Sequence, residues 1–262
     1  MNFNGSLTIV MPALNEEGNI KAAVESTIKA LDESNVNGEL IIVNDGSTDN
    51  TGNVAEELCR KDRRISVIHH DMPKGIGYSF WDGVSKAKNE AVVLYPGDNE
   101  MLPAEMLLYL HELSNVDIVV PFIINESVRS KFRRLVSGIY AFLIRTLLGL
   151  KVHHSNGLVL YRRSILKDIK LKSHGFFYQT ELLCKTIRRG YLYAEVPYYT
   201  RPRASGKSKA FSIKSILNLS INMGRLLADL LFSEQPKELD PFSTTVLRKK
   251  RVEQILTNKA GS

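Results

Sequence analysis

Three acidic stretches stand directly behind apolar runs. Residues 93–101 read VLYPGDNEM, so a Pro-Gly turn is followed at once by Asp98 and Glu100. Residues 44–49 read NDGSTD behind ELIIV, and residues 12–17 read PALNEE behind SLTIVM. Carboxylates at the mouths of buried strands suit two kinds of chemistry. Hard divalent cations take oxygen ligands and are commonly held by one or two carboxylates together with substrate phosphates. A strand-tip carboxylate such as Asp45 could also accept hydrogen bonds from a uracil or a ribose. The plain alternative is a solvated turn, and Asp49 fits it as the cap of the helix that follows. Asp45 alone decides nothing, but PALNEE at a neighbouring tip favours a site.

The elements that must position these tips alternate. Near-continuous apolar runs at Ser6–Pro12, Glu39–Asn44, Ile65–His69, Ala91–Pro96 and Asp117–Pro121 predict strands buried on both faces. Helical spacing predicts helices at Asn19–Leu31, Asp49–Lys61, Ile76–Lys88 and Pro103–Leu113, the last with Pro in its first turn. Strands and helices alternating at this spacing imply βαβ crossovers and a mostly parallel sheet. In such sheets ligands bind beyond the carboxyl ends of the strands, which gathers the three tips on one edge. The second half is less regular: helices at Ser130–Leu150, Phe176–Arg189 and Ile213–Phe232, strands at Leu158–Tyr161 and Leu192–Pro197, and a Gly/Ser/Lys loop at Ser205–Ala210. The expected organisation is one α/β domain over residues 1–211, an amphipathic helix over 212–232, and a polar tail or extended arm over 233–262.

The chain has 262 residues, 44% hydrophobic and 24% charged, ordinary for a globular protein with a sizeable core. A formal net charge of +7 suits anionic partners such as nucleotide phosphates or acidic lipid surfaces. Nucleic acid would explain the charge, but no motif for it is present. The two cysteines, Cys59 and Cys184, have no metal spacing and fit a reducing, cytoplasmic setting. The N-terminus lacks the basic region of a secretory leader, and no charge-free stretch of bilayer length occurs.

PALNEE, VNDGSTDNT, PKGIGYSFWDG and PGDNE, in this order and spacing, resemble a family-two glycosyltransferase of GT-A fold. Arg203-Ala204-Ser205-Gly206-Lys207-Ser208-Lys209, with Phe177, Glu181, Gly190-Tyr191 and Glu195-Val196-Pro197, resembles the polyprenyl-phosphate sugar synthases of the dolichol-phosphate mannose synthase type. The resemblance covers roughly residues 6–212. It implies a Rossmann-like sheet flanked by helices and a nucleoside-diphosphate sugar donor. It further implies that Pro12, Leu14 and Glu16 border the base, that Asp45 binds base or ribose, and that the Lys74-Gly75 loop approaches the nucleotide. Asp98 would hold Mg²⁺ or Mn²⁺ on the diphosphate, Glu181 would face the sugar or acceptor as the second catalytic carboxylate, and Arg203, Ser208 and Lys209 would contact phosphates. Two departures stand out. Pro96 occupies the place of the family's first aspartate, leaving Glu100 to supply any second metal oxygen. The second-half glycine is preceded by His153-His154-Ser155-Asn156 in place of the usual acidic residue.

The reading that follows is an inverting glycosyltransferase with a lipid-phosphate acceptor. The alternatives are a glycan or soluble hydroxyl acceptor, for which Glu181 would serve as base, and a nucleotide-binding regulatory module. A nucleotidyltransferase would carry a basic Gly-rich loop where PALNEE stands, and no GxGxxG follows the first strand. The basic, amphipathic 130–150 helix and the charge-interrupted 213–232 helix suit the surface of an anionic membrane better than its interior, the alternative being that both pack on the domain or on a second subunit. A homo-oligomer stays open.

Overall fold

The computed structural model describes residues 4–125, 131–153, 155, 157–199, 213–232 and 238–260. Seven strands form one sheet: β1 (Leu7–Ala13), β2 (Gly38–Asp45), β3 (Ile65–His70), β4 (Ala91–Leu94), β5 (Ile118–Ile123), β6 (Leu160–Arg162) and β7 (Tyr193–Tyr198). Their order is β3-β2-β1-β4-β6-β5-β7, and β6 runs antiparallel to both neighbours while the other pairings are parallel. Every residue of β1 is buried, as a central strand covered on both faces requires.

Side-chain alternation divides the core into two layers. Ile9, Met11, Leu40 and Ile42 face α1 (Ile20–Glu33) and α2 (Thr51–Lys61). Val10, Ile41 and Val43 face the other way, toward α3 (Ile76–Lys86), α5 (Lys131–Leu148), α6 (Tyr178–Arg188) and α7 (Ile213–Phe232). The helix expected over Pro103–Leu113 is split into α4 (Pro103–Leu107) and a 3₁₀ turn at Leu110–Ser114.

Two findings concern the C-terminal part. Met223 and Leu226 of α7 are buried against the domain, and Asp229 turns inward to Lys172 Nζ at 2.6 Å and Lys185 Nζ at 2.8 Å. A charge that interrupts the apolar helix is thus part of its docking. The stretch read as a polar tail or extended arm contains α8 (Thr244–Ala260). Buried Asp117 accepts from Thr244 N at 2.7 Å and Thr245 N at 2.9 Å, and from the Thr245 hydroxyl. This satisfies two of the orphan N–H groups of the helix start, a bond across 128 residues that no local signal announces. Among the described residues no helix is long and apolar enough to cross a membrane.

Candidate active site

The β1–α1 and β2–α2 loops are laced together. Asn15 adopts φ 56°, a left-handed conformation that Asn tolerates better than most residues. Its N–H donates to Ser47 Oγ at 3.0 Å, and its Oδ1 accepts from Thr48 N at 2.9 Å. Glu16 N donates to Thr51 Oγ1 at 2.8 Å, and Glu17 N donates to Asp49 Oδ2 at 3.2 Å. The cap expected at Asp49 falls instead on Asn50, and Asp49, one residue before it, accepts at 3.0 Å from the N–H of Thr51, the first residue of α2. The result is a rigid rim carrying Pro12, Leu14 and Glu16 beside Asp45.

Asp45 ends β2 and is 4% exposed. Its Oδ1 accepts from Lys74 N at 2.8 Å and lies 2.7 Å from His70 Nδ1, and its Oδ2 accepts from Gly75 N at 2.8 Å. Burial alone would raise its pKa. The His70 hydrogen bond and the two backbone N–H groups outweigh that and hold it below the ordinary carboxylate value. A carboxylate has about four acceptor positions. Among the described residues three are used, so Oδ2 retains one. The chain reaches Asp45 through Gly75, at φ 100°, where a Cβ would sit 2.7 Å from the His174 carbonyl oxygen.

The acidic turn follows β4 on the other side of β1. Gly97 N donates to Pro12 O at 3.1 Å, and a Cβ there would lie 2.9 Å from Ile20, so glycine lets the turn hug β1. Asn99 takes φ 55°, and its Oδ1 accepts from Ser26 of α1 at 3.3 Å. Asp98 Oδ1 accepts from Glu100 N at 3.2 Å. The Tyr95 hydroxyl donates to Met101 O, and Leu102 N donates to Tyr198 at 2.7 Å, so both ends of the turn are tied down. Among the described residues no group of three or more His, Cys, Asp or Glu side chains could enclose a cation. A strand-end carboxylate with open coordination fits the other arrangement, in which substrate phosphates complete the ligand set.

The strand order β2-β1-β4 therefore brings Asp45, the Pro12–Glu16 rim and Asp98 onto one edge. A family model described as glycosyl transferase family 2 matches residues 8–170, the segment that builds this edge. The chain belongs to glycosyl transferase family 2. The polyprenol monophosphomannose synthase of Mycolicibacterium smegmatis is 28% identical over 214 residues, covering 77% of this chain and 79% of that protein. The dodecaprenyl-phosphate galacturonate synthase of Rhizobium johnstonii is 28% identical over 169 residues, covering 63% of this chain and half (50%) of its own length. Among solved structures, glucosyl-3-phosphoglycerate synthase from Mycobacterium tuberculosis with bound UDP superposes with a TM-score of 0.61 at 22% identity, over 86% of this chain and 80% of that one. The same enzyme in complex with Mn²⁺, UDP-glucose and phosphoglyceric acid gives 0.59 at 21% identity, over 87% of this chain and 79% of that one. The fold is GT-A, as expected.

The remaining expected residues of the glycosyltransferase are placed differently. Lys74 meets Asp45 through its backbone, while its ammonium lies 4.7 Å from the centre of the Tyr78 ring. Glu181 does not face an open site. It is 2% exposed in α6, and its oxygens accept from Lys172 N and Ser173 N at 2.9 Å each and pair with Lys185 Nζ at 2.7 Å. The reading of Glu181 as a carboxylate facing sugar or acceptor is corrected accordingly. It pins the 172–174 segment, whose His174 carbonyl receives Gly77 N at 2.8 Å beneath the Asp45 loop. Arg203, Ser208 and Lys209 lie outside the described residues. The sequence reading missed His70 and Asp82. Their partners come from different elements, and only the alternation of His69 and His70 at the end of β3 hinted that one imidazole faces each side of the sheet.

Proposed function

We propose that this glycosyltransferase moves a sugar from a nucleoside-diphosphate donor to a polyprenyl phosphate, with inversion at the anomeric carbon. The observation that carries this reading is the commitment of Glu181. A hydroxyl acceptor needs a general base, and the carboxylate that the sequence offered for the task is buried under three hydrogen-bond donors. A phosphate acceptor is already anionic and attacks without one. The names of the two relatives, both polyprenyl-phosphate sugar synthases, support the same acceptor class.

In this reading the rim of Pro12, Leu14 and Glu16 borders the base, and Asp45 Oδ2 receives a base or ribose donor. The acceptor phosphate oxygen attacks C1 from the face opposite the leaving group, and the C1–O bond to the nucleoside diphosphate breaks. Asp98, with Glu100 as second oxygen, would hold Mg²⁺ or Mn²⁺. When bound, the cation supplies charge neutralisation on the departing diphosphate. Arg203, Ser208 and Lys209 are proposed to contact phosphates.

The lipid acceptor calls for a membrane-facing surface at the cytoplasmic side. Leu135, Ile139 and Phe142 lie outward on α5 at 53–63% exposure, and α5 carries Arg134 and Arg145 but no acidic residue. Such a helix can rest in an anionic interface. The test is to offer UDP-, GDP- and CMP-sugars with a short polyprenyl phosphate and to measure sugar entering the organic phase. Lipid-linked sugar is expected with one base. Transfer only to a soluble hydroxyl acceptor would overturn the acceptor assignment. Flotation with anionic liposomes should be salt-sensitive, and an intact protein left wholly unbound at low salt would remove the membrane surface.

A further inference from the structure

The side chain of His70 is 2% exposed, and each of its ring nitrogens faces a carboxylate. Nδ1 lies 2.7 Å from Asp45 Oδ1, and Nε2 lies 2.9 Å from Asp82 Oδ2 on α3. The Tyr78 ring closes a third side, edge-on at 5.7 Å and 79°. Tyr78 in turn carries the Lys74 ammonium on one contact and the His174 ring, at 5.8 Å, on another. The preceding His69 points to the opposite face, where it meets Glu56 at 2.9 Å and Asn44 at 3.1 Å. An ionised Asp45 can only accept, so the proton in its bond to His70 belongs to Nδ1. The Asp82 contact fixes the ring from the far end, as an outer carboxylate orients an imidazole in many sites.

We propose that His70 is a positioning residue for donor binding: held by Asp82, it locks the rotation of Asp45 so that Oδ2 keeps its remaining acceptor position for the nucleotide. The carboxyl torsion of an aspartate is otherwise broad and roughly two-fold. Two backbone N–H groups of the Lys74-Gly75 turn hold Asp45 from one side, and His70 supplies the bond from the next strand. This rests on the donor site proposed above and adds what makes that site rigid. His70 touches no substrate. Its loss should appear in donor affinity and leave the chemical step nearly intact.

The test is titration calorimetry of UDP and GDP on the full chain with manganese chloride present, paired with steady-state transfer. Unfolding temperatures accompany every variant. His70→Ala is expected to weaken the binding of the preferred nucleotide by about 10- to 100-fold, the range typical of lost orienting partners. His70→Asn places an N–H donor near the Nδ1 position and should recover binding to within about threefold of wild type, on the hydrogen-bond inventory of the two side chains. Asp82→Ala keeps the His70–Asp45 bond and should cost less than His70→Ala. The KM for acceptor, and kcat at saturating donor, should stay within about threefold throughout, the signature of lost uniform binding. A folded His70→Ala variant with wild-type nucleotide affinity would overturn the proposal. So would a folded His70→Asn no better than His70→Ala, or a fall in kcat at unchanged donor affinity. Should His70→Ala fail to fold, wild-type affinity in Asp82→Ala together with unrecovered affinity in His70→Asn overturns it. A wild-type protein that binds neither nucleotide would instead overturn the donor-site reading on which the proposal rests.

Discussion

The carboxylates of the two halves of the sheet look alike in sequence and do opposite work. At the β2-β1-β4 edge, Asp45 keeps an acceptor position in reserve and Asp98 stands in a half-exposed turn. Around β5–β7, Asp117, Glu181 and Asp229 are buried and bind the chain to itself: Asp117 caps α8, Glu181 pins the 172–174 segment, and Asp229 docks α7. A buried carboxylate is tolerated when donors surround it, and those donors then take up the lone pairs that chemistry would need. The difference teaches that a carboxylate in a motif position is a site residue only if its partners leave room for a ligand.

Perturbing each half separately tests this division. The largest effect should follow removal of divalent cations. Chelation should lower transfer by about 100-fold or more, since the charge neutralisation is worth several kcal/mol, and Mn²⁺ or Mg²⁺ should restore it. Full activity in excess chelator would remove Asp98 from any metal role. Next comes Asp117→Ala, which strips two backbone N–H groups of α8 and leaves Arg162, with its Nε 3.7 Å from Asp117, short of a buried partner. Breaking such a cluster costs about 3–5 kcal/mol, which should lower Tm by roughly 10 °C and open α8 to protease. Nucleotide affinity should stay put, and an unchanged Tm would contradict the structural role.

The smallest effect concerns acid stability. The folded pKa of Asp45 lies below its unfolded value of 3.8, so its contribution is complete above that value and is lost as pH falls through the lower folded one. Asp45→Asn should therefore flatten the acid limb of the stability curve below about pH 4, the window set by that pair of values. An acid limb identical to wild type would show that Asp45 does not hold its hydrogen bonds in solution. The same variant should bind nucleotide more weakly.

Most of the donor edge was legible because its signals are local. An apolar run followed at once by Asp-Gly or Pro-Gly-Asp marks a strand end, and alternation with helices places the ends together. The partners of Asp45 were half legible: Lys74 and Gly75 stood in a recognised loop, whereas His70 and Asp82 needed the β2–β3 register, in which Asp45 pairs with His70. In the second half α5, α6, α7, β6 and β7 lie where the spacing placed them, but the partners of its carboxylates were hidden for the same physical reason. Asp117 meets its helix 128 residues later. Lys185 sits one turn after Glu181 and reads as an ordinary surface pair until burial by α7 is known. The α8 helix was hidden by its own composition, since residues 248–258 are exposed with Arg248, Lys249, Lys250, Arg251 and Glu253 among them, while its first turn is capped by the distant Asp117.

The sharpest test of the division is a matched pair of isosteric variants, Asp98→Asn and Glu181→Gln, measured together for kcat/KM of sugar transfer and for Tm. Asp98→Asn should lose at least about 100-fold in transfer, the scale of a lost metal-ligand or leaving-group interaction, at the wild-type Tm. Glu181→Gln should lower Tm by several degrees, on the order expected for a disrupted buried ion pair, and should retain transfer to within about tenfold below its unfolding range. A Glu181→Gln protein that melts like wild type and no longer transfers sugar would contradict the account, returning Glu181 to the active site as a base.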